Sequence, residues 1–246
     1  MPKLIAHRGQ NANYPENTLE SFAAALACGA KYLECDIQLS ADHVPVISHD
    51  ISLQKAADQD IDISQQRYAE LANVSVGESR RFGAVFQSAR LPRLADLLNL
   101  LQSHPDVLLF IELKQESFDC FGLEPCVDSV LDCLRDTLTT CVIISFNLQA
   151  LHYLKTRSAM NTGWVSRQID RETIQAAELL APEYMFIKYS LCLSSDHDFS
   201  ADTWHWVAYE TSDPATVTKL IDRGISYIET DDICQLNNHF NDQGLQ

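Results

Sequence analysis

From Lys3 to Ile228 the chain alternates short apolar runs with stretches of helical periodicity, and this alternation restricts the fold more than any other feature. The apolar runs stand at Lys3 to Ala6, Tyr32 to Leu39, Val107 to Leu113, Cys141 to Ile144, Thr162 to Val165, Tyr184 to Ile187, Trp206 to Tyr209 and Ser226 to Ile228. Between them lie helical patterns such as Asn17 to Cys28, Asn147 to Arg157, Arg171 to Leu180 and Pro214 to Arg223. In the first, Leu19, Phe22, Ala23 and Leu26 share one face, and Gly29 stops the helix. Strand and helix alternating over 246 residues have the length and pattern of one α/β domain, a single (β/α)8 barrel over residues 1–246. No Pro-, Gly- or Ser-rich linker divides the chain. Ile51 to Arg90, after the second strand, is the least regular part and is expected as a short inserted loop region near the site face.

Charges sit in these apolar runs where burial disfavours them. In Tyr32 to Leu39, residues two apart share a face, so Glu34 and Asp36 project together while Leu33, Cys35 and Ile37 face the other way. Two carboxylates side by side in a buried strand repel each other and resist desolvation unless a cation or proton compensates them. A divalent ion with oxygen ligands is the simplest compensation; a solvated edge strand is the bland alternative. Val107 to Leu113 is too apolar for a surface and brings Glu112, with Lys114 on the same face, so a third carboxylate joins the pair. His7 and Arg8 end the first run, and His49 precedes Asp50. Two histidines, an arginine and several carboxylates are the parts of a metal-assisted site for a phosphate ester.

The residues that carry this pattern are His7-Arg8-Gly9, Pro15-Glu16-Asn17-Thr18, Gly29-Ala30 followed by Glu34-x-Asp36, and Pro45-Val46-x-x-His49-Asp50. They continue with Leu91-Pro92-x-Leu94, Ile111-Glu112-Leu113-Lys114, Ser145-Phe146 and Gly224-Ile225 to Thr230-Asp231-Asp232. In this order, across nearly the whole chain, they resemble the glycerophosphodiester phosphodiesterases. The resemblance implies a TIM barrel that hydrolyses glycerophosphodiesters to sn-glycerol 3-phosphate and an alcohol. It implies one divalent ion, Ca2+ or Mg2+, on Glu34, Asp36 and Glu112, with Arg8 and Lys114 on the phosphate and His7 and His49 as the acid/base pair. Glu16 and Tyr209 are further substrate-binding candidates, although Asn17 with Glu20 also reads as a helix cap beside Glu16. A related lysophospholipase D-type phosphodiesterase and a catalytically silent barrel that binds phosphorylated metabolites are the alternatives. A silent relative would be free to lose His7, His49 or a carboxylate, and all are present.

Two segments depart from the family pattern. Leu53-Gln54-Lys55-Ala56-Ala57 replaces a basic residue followed by threonines and glycine, and Tyr209-Glu210-Thr211-Ser212 replaces Trp-Thr-Val-Asn. Glu210, if turned inward, would add negative charge beside a site for an anion, unless it pairs with a base or recognises an amine head group. Ser145 is expected as a turn former or pocket residue, and Asp196-His197-Asp198 as a solvated run more than a second metal site.

Composition agrees with this reading. The formal charge of −16 argues against nucleic acid and anionic membranes as partners, so an anionic substrate must be drawn in by a local positive site. No apolar run approaches the ~18 residues of a membrane span, so no stable membrane anchor is expected. The first strand follows Met1-Pro2-Lys3 directly, which predicts no signal peptide and a cytoplasmic protein. The eight cysteines form no CxxC pair, and Cys35, Cys141 and Cys192 lie in apolar runs, so buried free thiols are expected. Nothing in the sequence sets the number of subunits.

Overall fold

Each apolar run becomes a strand because it offers apolar side chains to both faces of a sheet that is covered on both sides. The computed structural model describes residues 2–242. Its strands are β1 (Lys3–His7), β2 (Tyr32–Leu39), β3 (Pro45–Ile47), β4 (Leu108–Leu113), β5 (Thr140–Ser145), β6 (Asn161–Val165), β7 (Tyr184–Lys188), β8 (His205–Tyr209) and β9 (Tyr227–Thr230). Apart from β3, which lies antiparallel on β2, the strands pair in parallel. β1 pairs with both β2 and β9, so the eight parallel strands close into a barrel with helices between them. β3 escaped the sequence reading because three residues are too few to show a period.

The two faces of the sheet carry two cores. Leu33, Cys35, Ile37, Leu109 and Ile111 pack outward under the helices, against Phe22, Leu97 and Val127 among others. Ile5, Phe110, Val142, Phe186, Val207 and Tyr227 fill the inside. Gly163 on β6 makes room for them: a Cβ there would stand 2.8 Å from Ile144 Cγ2 and 3.0 Å from Phe186 Cε2. The rings of Phe110 and Phe186 meet edge to face, 5.5 Å apart, across this interior.

The first helix runs Leu19–Ala27, later than the expected start at Asn17. Thr18 is its N-cap, with Oγ1 accepting from the Ser21 N–H at 3.2 Å. Asn17 cannot join the helix, since its φ of 57° is left-handed and its side chain is committed elsewhere. Ile51 to Arg90 carries short helices at Gln54–Ala57, Tyr68–Leu71 and Ser79–Phe82, and Leu53, Ile63, Leu71, Val76 and Leu91 form its own buried cluster with Val46. This segment grips the loop after β1. Glu78 accepts from the Glu16 N–H at 2.7 Å, and Arg81 donates to Asn11 Oδ1 at 2.9 Å and to the Ala12 carbonyl at 3.0 Å.

One cysteine expectation is corrected. Cys28, at the end of the first helix, and Cys234, in the last helix (Ile233–Asp242), form a disulfide across 206 residues. Such a separation leaves no spacing signal in a sequence. The two meet because the helices before β2 and after β9 flank the closing strand β1, where Asn237 Nδ2 also donates to the Cys28 carbonyl at 2.9 Å. The other six cysteines are free, and Cys35, Cys141 and Cys192 are buried as expected. Among the described residues no helix is long and apolar enough to cross a membrane.

Candidate active site

The inward-facing polar residues collect at the carboxyl ends of the strands, where a parallel barrel opens into its loops. In register, His7 on β1 pairs with Glu34 on β2, and Asp36 on β2 with Glu112 on β4. Glu34, Asp36 and Glu112 each offer a carboxylate oxygen, and these atoms all lie within 4.8 Å of one another. Lys114 Nζ bridges Asp36 Oδ1 at 3.1 Å and Glu112 Oε1 at 2.9 Å.

Arg8 is fixed by both backbone and side chain. Its φ of 56° turns the chain so that its N–H donates to Glu34 Oε2 at 3.1 Å. Its carbonyl accepts from Ser21 Oγ at 3.0 Å and from the Asn17 N–H at 3.1 Å. Such a conformation costs a non-glycine residue about 1 kcal/mol or more and is found mainly where a site imposes it. Gly9 permits the turn: a Cβ there would lie 2.4 Å from Ser21 Oγ. The Arg8 guanidinium donates to Glu16 Oε2 at 3.2 Å, and its Nε stands 2.9 Å from Asp36 Oδ2 without the alignment of a hydrogen bond.

The electrostatics follow from burial. Desolvation and the neighbouring Asp36 hold the Glu34 carboxyl well above its ordinary range. For Asp36 burial works the same way, but Arg8 and Lys114 outweigh it and hold the group below the usual carboxylate range. Burial disfavours charge on His7 too, yet the hydrogen bond to Asp231, 2.8 Å from Nδ1, together with the nearby carboxyls of Glu229 and Glu34, raises its pKa to about 10. Asn11 Nδ2 donates to the same Asp231 oxygen at 3.1 Å. His49, just past β3, has Nδ1 2.7 Å from Asp50 Oδ1.

These groups surround a cavity of about 180 Å³, lined by His7, Arg8, Glu34, His49, Glu112 and Lys114 on one side. Phe146, Tyr209, Glu210 and Glu229 complete the lining, Glu229 standing on β9 beside β1. Tyr209 is held by its hydroxyl, which donates to the Ser166 carbonyl at 3.2 Å. Glu16 does not line this cavity; it lies in the adjoining cleft, where Lys55 donates to its Oε1 at 2.6 Å. Its place is behind Arg8, and Lys55, in one of the departing segments, is what anchors it. Ser145 Oγ donates to the Leu113 carbonyl and so shapes the turn, while Phe146 reaches the cavity. His197 is spent on Asp202, 2.6 Å from Nε2, and among the described residues only Glu34, Asp36 and Glu112 form a group that could hold a metal ion.

Three site residues were missed in the sequence. Asn17 read as a cap, but its Nδ2 donates to Asp36 Oδ2 at 2.8 Å. Asp231 stood inside a quoted motif without a role. Glu229 was accessible to strand parity, since it lies two residues after the inward Tyr227.

A family model, the glycerophosphoryl diester phosphodiesterase family, matches residues 7–233. The chain belongs to this family. Over 126 residues it is 33% identical to a glycerophosphodiester phosphodiesterase of Bacillus altitudinis, a stretch covering 50% of each chain. It thus spans about half the length of that relative. Over 237 residues, 93% of each chain, it is 25% identical to a putative glycerophosphodiester phosphodiesterase of Bacillus subtilis. The structure of an Oleispira antarctica phosphodiesterase in complex with the product sn-glycerol-3-phosphate matches with a TM-score of 0.89 and 26% identity, covering 98% of this chain and 97% of that one.

Proposed function

We propose that this chain hydrolyses glycerophosphodiesters to sn-glycerol 3-phosphate and an alcohol, using one divalent ion, Ca2+ or Mg2+. The observation that carries this reading is one cavity on which Glu34, Glu112, two cations and two histidines converge, with the buried Asp36 clustered against the two glutamates. The residues fit such an ion: all three donors are hard oxygens, and Glu34 Oε1 is buried with no hydrogen-bond partner. Glu34, Asp36 and Glu112 would hold it. When bound, it draws charge from a non-bridging phosphoryl oxygen.

The chain's own groups supply the rest. Arg8 and Lys114 neutralise the phosphate, Arg8 in the two-pronged manner of a guanidinium, and Glu16 keeps Arg8 aimed. His7, protonated at neutral pH and held through Nδ1 by Asp231, presents Nε2 to the leaving alkoxide and gives it a proton. His49, held through Nδ1 by Asp50, accepts the proton of the attacking hydroxyl at Nε2. Tyr209 forms part of the wall that receives the organic group.

A coupled assay of glycerol 3-phosphate release across several diesters tests this. Chelation abolishes turnover and Ca2+ or Mg2+ restores it, and His7→Ala and His49→Ala each lower kcat by roughly 10²–10⁴ with less effect on phosphate binding. Full activity in excess chelator removes the metal from the mechanism, and near wild-type kcat in either variant makes that histidine structural.

A further inference from the structure

The segment from Ile51 to Arg90 meets the loop after β1 at three places. Phe86 packs against Tyr14 with ring centroids 5.3 Å apart, Glu78 accepts from the Glu16 N–H, and Arg81 reaches Asn11 and Ala12. The turn that carries Arg81 is rigid. A Cβ on Gly77 would stand 2.2 Å from the Phe86 carbonyl oxygen, so the chain closes on itself there. Glu78, buried and left-handed with a φ of 45°, donates its N–H to the Ala56 carbonyl at 3.0 Å. Arg81 itself is exposed, and its 3.4 Å ion pair with Glu78 is worth little on that account. What it does lies in what it orients.

Asn11 and Ala12 are hydrogen-bonded to both Arg81 and Asp231. Arg81 donates to Asn11 Oδ1 at 2.9 Å and to the Ala12 carbonyl at 3.0 Å. Asn11 Nδ2 donates in turn to Asp231 Oδ1 at 3.1 Å, and the Ala12 N–H to the Asp231 carbonyl at 2.8 Å. A guanidinium has donors only, so it can meet the amide of the buried Asn11 only through its oxygen, and the amide NH2 is left facing Asp231. A flipped amide would set its oxygen against the Asp231 carboxylate. Asp231 Oδ1 is the atom that lies 2.8 Å from His7 Nδ1. Arg81, Asn11, Asp231 and His7 therefore form one chain in which each side chain fixes the next, and Arg81, its far end, does not line the cavity.

We infer that Arg81 is a positioning residue for His7, acting through Asn11 and Asp231. This rests on the reading of His7 as the proton donor. Arg81 touches no reacting atom; it keeps the Asn11 amide from turning, and so keeps the Asp231 carboxylate, and with it the imidazole, in the orientation that presents Nε2 to the leaving alkoxide. The same segment reaches the other functional residue of the first turn by a separate route, from Lys55 through Glu16 to Arg8.

A leaving group that needs no proton separates a misaimed proton donor from general damage. Glycerophosphoethanolamine, whose alkoxide must be protonated as the P–O bond breaks, is set against glycerophospho-p-nitrophenol, whose nitrophenolate departs unaided. Arg81→Met and Asn11→Leu each lower kcat on the first ester about tenfold, with its KM and the turnover of the second within about twofold of wild type. Lys55→Met, in the same segment but tied to Glu16, moves both esters together. An Arg81→Met enzyme that slows both esters alike, or neither, overturns the positioning role, as does a Lys55→Met enzyme that distorts the ratio as strongly. Should the buried Asn11→Leu fail to fold, Arg81→Met decides alone. His7→Ala on the same pair tests the reading beneath: if it too slows both esters alike, His7 is not the proton donor. The positioning is then read from the His7 Nδ1–H proton resonance, assigned by its absence in His7→Ala. That resonance shifts in Arg81→Met if Arg81 orients His7, and an unchanged resonance overturns the inference.

Discussion

At the scale of single residues, the contact between His7 and Asp231 makes a prediction with a defined sign. His7 is raised from 6.5 to about 10, so its contribution to stability is complete below about pH 6.5 and is lost as pH rises through about 10. Asp231 is lowered from 3.8 because its bonds to His7 and Asn11 outweigh burial, so its contribution is present above that value and lost on acidification. Wild type should therefore melt above Asp231→Asn across the neutral range, with the gap in Tm closing toward pH 10 and again below pH 4, measured without added metal. A gap independent of pH would mean that Asp231 acts through packing alone. The residues that sequence exposed best, Glu34, Asp36, Glu112 and Lys114, share a property: strand parity and an apolar context state where they point. Asn17 and Asp231 were harder for different reasons. The local pattern of Asn17 fits a helix cap equally well, and the partner that gives Asp231 its meaning is 224 residues away.

At the scale of elements, eight strands were readable because each contains an apolar run next to a helical stretch. β3 and the short helices of Ile51 to Arg90 were not, because their stability comes from the buried cluster around Leu53, Ile63 and Leu71 rather than from periodicity. β6 is the element most exposed to a single change. Gly163→Ala places a methyl 2.8 Å from Ile144 and 3.0 Å from Phe186, both inside the barrel, and neither strand can retreat without disturbing its neighbours. A loss of about 1–3 kcal/mol in urea denaturation is expected. Because Ile144 and Phe186 also line the cavity, KM should rise in the same variant. Unchanged stability would show that the interior at β6 is looser than these distances state.

At the scale of the whole molecule, the Cys28–Cys234 bridge joins the helices on either side of the closing strand. Closing a loop of 206 residues restricts the unfolded chain by up to about 5 kcal/mol on entropic grounds. Alkylation of the denatured protein should find six thiols before reduction and eight after, and Cys234→Ser should lower Tm by several degrees. Eight thiols before reduction would refute the bridge. The contact of His7 with Asp231 also fixes an order in time. During synthesis the three carboxylates and Lys114 emerge well before Asp231, the residue that holds His7, which follows only after β9. A nascent chain can thus gather the three carboxylates early, but it cannot fix His7, the proposed proton donor, until β9 has closed the ring, so the site is ordered in two stages.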